Sequence, residues 1–243
     1  MASRDSILVR QELGRGVVGR VVDDTPVAIR LRYIGTGTVT SVTTTISTGI
    51  VMITSDGGTD SYTFAANATV GVLVDAINAD AIFEARVLDA LRSDATDDMF
   101  LNGAITSSTS SEGYAIWDVL HDTSAVDATN TLAYMTVRMT PDPARCFVAP
   151  KESHRVSLQE IQYNVNVNAA SAKGVRIYEV VGSTETLIWS AASVDVTLTT
   201  ITFASGQGFI TGADATEYVV RVQDATSVTD ATGNFLQVVA FVE

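Results

Sequence analysis

The sequence predicts a mainly β fold with one clear helix, and three observations carry that reading. Val, Ile and Ala are interleaved with Thr and Ser along most of the chain, so β-branched residues supply much of its apolar content. Short alternations of apolar and polar residues recur between Gly, Asp, Asn and Ser clusters, as strands do between turns. One segment changes to a helical period. With 243 residues, 46% of them hydrophobic, the chain can build two cores and is not disordered as a whole.

Residues 1–29 alternate weakly and are punctuated by Gly14, Gly16, Gly19 and Pro26. They read as an extended N-terminal arm that becomes ordered against a partner. Val27 to Ile34 is the first strand candidate, with Arg30 and Arg32 alternating against Ile29, Leu31 and Tyr33. Gly35 to Ser47 is a Thr/Val run, and Ile50 to Thr54 follows it. Ser55-Asp56-Gly57-Gly58-Thr59-Asp60 reads as a hairpin turn, because Asp-Gly and Gly-Gly supply positive φ angles. Ser61 to Phe64 returns. Thr69 then caps a helix whose Val70, Leu73, Val74 and Ile77 fall at i, i+3, i+4 and i+7, ending near Asn78. Ile82 to Leu88 is again β.

The block from Gly49 to Arg86 therefore runs strand, strand, helix, strand. Its Asp-Gly-Gly-Thr-Asp turn, Tyr-Thr-Phe, the Thr-Val-Gly-Val-Leu-Val-Asp-Ala-Ile-Asn-Ala helix and Phe-Glu-Ala-Arg resemble the ββαβ inserts of flagellin and hook-associated proteins. Similar blocks occur in structural proteins of tailed bacteriophages. The resemblance covers about 40 residues and implies an assembly role; it brings no catalytic residues.

A Ser/Thr/Gly loop occupies residues 101–113, Ala115 to Leu120 is ambiguous between helix and strand, and Leu132 to Met139 is a strand. Pro141-Asp142-Pro143 interrupts ladder and helix alike, so it marks a domain boundary. Beyond it, strand candidates are Arg155–Val167, Val175–Val181, Leu187–Ser190, Val194–Phe203, Glu217–Gln223 and Phe235–Val242. Serial strands between turn-like stretches predict an antiparallel β-sandwich of jelly-roll type. The expected organisation is an arm at 1–29, a β-rich α+β domain at 30–140 and a sandwich at 144–243.

Charge narrows the partners. Residues 1–32 hold six arginines against four acids, whereas the rest is strongly acidic and brings the whole chain to −13. An acidic body repels phosphate backbones, which argues against nucleic acid. No apolar run is long enough to span a membrane, and the first residues lack the apolar core of a secretory signal. Thirteen of the fifteen basic residues are Arg, whose fork favours fixed contacts to carboxylates. Arg4, Arg10, Arg15 and Arg20 on the arm are the candidate protein-interface residues.

Catalytic chemistry has little to draw on. One cysteine, Cys146, excludes a disulfide framework and a Cys-based zinc site. His121 and His154 have no companion in a Ser/His/Asp order. Gly14-Arg15-Gly16-Val17-Val18-Gly19 spells G-x-G-x-x-G but lacks the helix that a dinucleotide site needs. The acids at Asp56/Asp60, Asp94/Asp97/Asp98 and Asp122/Asp127 read as solvated loop residues, and Trp189 in an apolar run reads as core.

These readings predict a non-catalytic virion structural protein of a tailed phage, without cofactor or metal, made in the host cytoplasm. A capsid decoration (cement) protein is favoured, bound to the major capsid protein or other virion proteins through its arm and self-associating, with a trimer favoured. A tail, neck or baseplate component is the alternative within the virion, and a carbohydrate-binding module the alternative from another class. Exposed Trp and Tyr on a sandwich face would mark sugar binding. Their burial, together with an extended arm, would favour assembly.

Overall fold

A computed structural model describes residues 14–22, 26–45, 48–96, 99–101, 116–121, 133–139, 156–164, 173–192, 199–203, 216–224 and 235–242. Among them the chain is mainly β with one helix. It divides into two compact units, and the division does not follow the expected boundaries. The first strand, β1 (Gly14–Val22), belongs with the C-terminal strands, while residues 25–125 form a unit inserted in sequence after it.

The inserted unit contains β2 (Val27–Tyr33), β3 (Val39–Thr45), β4 (Gly49–Thr54), β5 (Gly58–Thr63), α1 (Val70–Ala79), β6 (Phe83–Val87), β7 (Met99–Leu101) and β8 (Ile116–His121). One antiparallel sheet has the order β6-β2-β8-β7, and a three-stranded meander the order β3-β4-β5. Thr69 caps α1, its hydroxyl accepting a hydrogen bond from the Val72 amide, a device worth about 1 kcal/mol. Val70, Leu73, Val74 and Ile77 are all buried, so the helical period aims one stripe at the core. That core includes Ile29, Leu31, Tyr33, Phe83 and Trp117. The Asp-Gly-Gly turn forms as expected, with Gly58 at φ +80°, which a residue without Cβ adopts at no steric cost.

The second unit joins β1 to β9 (Ala133–Met139), β10 (Val156–Asn164), β11 (Lys173–Val181), β12 (Thr184–Ala192), β13 (Thr199–Thr202), β14 (Thr216–Asp224) and β15 (Phe235–Val242). Its two antiparallel sheets have the orders β1-β15-β10-β13 and β12-β11-β14-β9. Within this unit the first strand pairs with the last, β9 with β14, β10 with β13 and β11 with β12. The eight strands thus pair like one long hairpin rolled up, with successive pairs in alternate sheets. That is jelly-roll topology, a double sheet of two Greek keys. Leu158, Ile161, Leu236 and Val238 of one sheet share a buried core with Ile177 and Val220 of the other.

Two expectations need correction. Residues 14–22 are not a free arm: β1 pairs along its length with β15, from Gly14 opposite Val242 to Val22 opposite Phe235. The remainder of the expected arm up to residue 13 lies outside the described residues. Pro141-Asp142-Pro143 lies outside the described residues, and the domain boundary expected there does not hold, because β9 precedes it and already belongs to the jelly roll. In β14, Tyr218, Val220 and Val222 face the core, and Glu217, Val219 and Arg221 between them are also buried, Arg221 to 1% exposure. A period-2 pattern reads one buried face and cannot reveal that the second face is covered too.

Candidate protein interfaces

The four arginines singled out from the sequence are not equivalent. Arg4 and Arg10 lie outside the described residues. Arg15 and Arg20 sit within β1, opposite Phe241 and Gln237 of β15. The G-x-G-x-x-G spelling falls in the same strand, so its backbone is committed to a sheet ladder and does not form a loop before a helix. A register shift between Val17 and Gly19 marks a bulge there, a common feature of sheet edges.

A second group of arginines was visible in the sequence only as alternation along β2. Cross-strand register brings Arg30 opposite Asp118 and Arg86, and Arg32 opposite Glu84. Arg30 grips Asp118 with two bonds, Nε to Oδ1 at 2.6 Å and Nη2 to Oδ2 at 2.9 Å. Glu84 accepts from both Arg32 and Arg86. The face of this sheet away from its core thus carries a lattice of three arginines and two carboxylates. These side chains keep 14–39% of their surface in solvent, so water screens each pair and it contributes about 1 kcal/mol. The lattice fixes the face more than it stabilises it.

Several acids read as solvated have structural work instead. Asp56 Oδ2 accepts from Tyr33 Oη at 2.8 Å and from the Thr36 and Gly37 amides. Desolvation alone would raise its carboxyl, but the hydrogen bonds outweigh it and hold the pKa down to about 2. Asp94 is buried and accepts from the Leu91 amide. Asp60 behaves oppositely to Asp56, since burial and the charge of Asp80 push its carboxyl up. Tyr62 donates to Asp80, and burial together with that carboxylate raises its phenol. Asp97, Asp98, Asp122, Asp127, His154 and Cys146 lie outside the described residues.

The aromatic residues are used in packing. Trp117 is buried and stands 6.2 Å from Phe83, which in turn meets Tyr33 at 5.5 Å. Trp189 of β12 packs edge-on against Phe203 just after β13, ring centroids 5.3 Å apart. Tyr33, Tyr62, Tyr163 and Tyr218 are buried as well, and Tyr178 and Trp189 are half-buried. His121 is buried in β8.

The exposed apolar residues are unevenly placed, and sequence reading did not find them. Of six large ones among the described residues, Val181, Leu187 and Ile188 belong to the β11–β12 hairpin. A register shift opposite Ile177 and Tyr178 leaves Ile188 as an extra residue in β12. The bulge explains how two consecutive apolar side chains both reach the surface while Trp189 turns inward.

No family model matches the chain, and no curated protein matches it. One solved structure, described as the structure of infectious bursal disease virus Gt strain, is similar at 11% identity and a TM-score of 0.19. The match covers 95% of this chain and 56% of that one. The chain thus spans about half the length of that neighbour, and at this score the likeness carries no argument.

Proposed function

We propose that the chain is a non-catalytic structural subunit of a tailed-phage virion, acting as a capsid decoration protein that binds capsid subunits and associates with itself. The observation that carries this reading is the eight-stranded jelly roll with a whole second unit inserted after its first strand. Jelly rolls serve viral capsids, lectins and cupins alike, so the fold alone does not choose among them. The choice rests on side chains. A sugar platform needs aromatic faces open to solvent, whereas Trp117, Tyr33, Tyr62, Tyr163 and Tyr218 lie in the two cores and Trp189 packs against one of them.

Arg4 and Arg10, which precede β1, remain the residues proposed to grip carboxylates of a capsid subunit through charge-assisted bonds. Modest contacts repeated over a symmetric lattice reinforce one another through effective concentration. The test mixes the protein with particles lacking it and measures occupancy. A chain without residues 1–12 keeps β1 whole, and it should lose attachment. Arg4→Glu with Arg10→Glu should weaken attachment and change its salt dependence. Failure of the intact protein to occupy particles at any salt would refute decoration, and full occupancy by the shortened chain would refute the role of these arginines.

A further inference from the structure

The open side of the jelly roll, where β12 and β13 are the last strands of their sheets, has the character of a contact surface. Among the described residues nothing pairs with the outer edge of either strand. An edge strand presents unpaired amides and carbonyls, and soluble proteins protect such edges with charges, prolines or short strands. Here β12 is nine residues long, contains no proline and carries one charge, Glu185. The four residues of β13 carry none. Beside them Leu187 is 49% exposed, Ile188 37% and Val181, at the end of the hairpin, 51%. The Trp189–Phe203 contact closes the mouth of the sandwich beneath this rim.

We infer that this edge is where a second copy of the same chain docks, the two β12 strands running antiparallel about a two-fold axis with Leu187 and Ile188 at the joint. The occupant follows from charge. Two copies each at −13 repel over most of their surfaces, and like charges brought together cost several kcal/mol. The β12–β13 edge is almost uncharged, so identical acidic chains approach there at least cost. A two-fold contact must also be self-complementary. Antiparallel strands centred on Ile188 set Leu187 beside Trp189 and Glu185 beside Ala191, so the one charge never meets itself. The bulge at Ile188 interrupts a continuous ladder and puts apolar side chains at the centre, which makes this joint mainly a packed one.

The inference rests on reading the chain as an assembling subunit, but its test needs no particle. Sedimentation of the full-length protein over a dilution series should give twice the monomer mass of 25.7 kDa at high concentration. Leu187→Lys with Ile188→Lys should sediment as a monomer with an unchanged circular dichroism spectrum. Val72→Lys, which removes an apolar residue half exposed on α1, should leave the dimer intact. Hydrogen exchange provides a reading free of substitution: β12 amides should lose protection on dilution. A monomer at every concentration, a persistent dimer in the double variant, or an assembly of three copies would each overturn the proposal, the last because a two-fold contact closes at two. A monomeric double variant that still occupies particles leaves decoration standing. A dimer that binds no particle keeps this joint and removes decoration.

Discussion

The two units of this chain are built from opposite kinds of contact. In the inserted unit every strand from β2 to β8 finds its partners within residues 27–121. In the jelly roll the first strand pairs with the last, and the insert separates β1 from all its sheet neighbours. Charge is handled differently as well. Arg30 and Asp118 meet on a partly exposed face, whereas Arg138 of β9 and Glu217 of β14 join at 2.9 Å with Glu217 almost wholly buried. The comparison teaches where each unit is fragile: the jelly roll depends on a strand from the far end of the chain and on a buried ion pair, the insert on strands of its own and on a partly exposed pair.

The largest expected effect comes from removing β1. A chain without residues 1–22 leaves β15 with a bare edge and takes one of four strands from its sheet. The loss should consume much of a domain's total stability, which is about 5–15 kcal/mol. Limited proteolysis with mass spectrometry should recover a resistant fragment near 27–121 while the jelly roll is digested. Equal resistance of both units would break the comparison.

Next in size is the buried pair. Glu217→Ala takes this carboxylate away from the nearly buried Arg138 guanidinium and should cost about 3–5 kcal/mol. Asp118→Ala, its counterpart in the insert, should cost no more than about 1 kcal/mol. Denaturant unfolding gives the magnitudes, and hydrogen exchange in β9 and β14 locates the first loss in the jelly roll. Equal costs would mean that burial does not distinguish these pairs.

The smallest effects are within the insert and depend on pH. The Asp56 carboxyl is held below its ordinary 3.8 at about 2, so its stabilisation is present above 3.8 and lost as pH falls through 2. Asp60 is raised above 3.8. The folded state therefore binds its proton more tightly, and its contribution falls as pH rises past that value. Thermal unfolding across acidic pH should show Asp56→Asn and Asp60→Asn changing the slope in opposite senses. Slopes altered in the same sense would contradict this assignment.

The sequence carried the insert well because its signals are local. Thr69 with Val70, Leu73, Val74 and Ile77 specified the helix, and Asp56-Gly57-Gly58 specified the turn. The strands from β10 to β15 were also legible from β-branched runs, though β12 extends beyond Leu187–Ser190 to Thr184–Ala192. β1 was not, since Gly14, Gly16 and Gly19 dilute its alternation and its partner lies at the far end of the chain. Pro141 and Pro143 interrupt the sequence pattern without saying which sheet the preceding strand joins. Of the interface residues, the arginines were legible as chemistry but Arg15 and Arg20 were misplaced. The exposed Leu187 and Ile188 were hidden because a bulge, invisible to alternation, turns them outward.

The pairing of β1 with β15 also sets a timetable during synthesis. Ribosomes add roughly 5–20 residues per second, so with some 210 residues between these strands, β1 is finished about 10–40 s before its partner exists. The inserted unit, complete in its own pairings, can fold during that interval. A strand left waiting so long exposes an unpaired edge to every neighbouring chain. The glycines that make β1 a poor strand by itself keep it uncommitted through that wait, so the element hardest to recognise is also the one least able to pair too early.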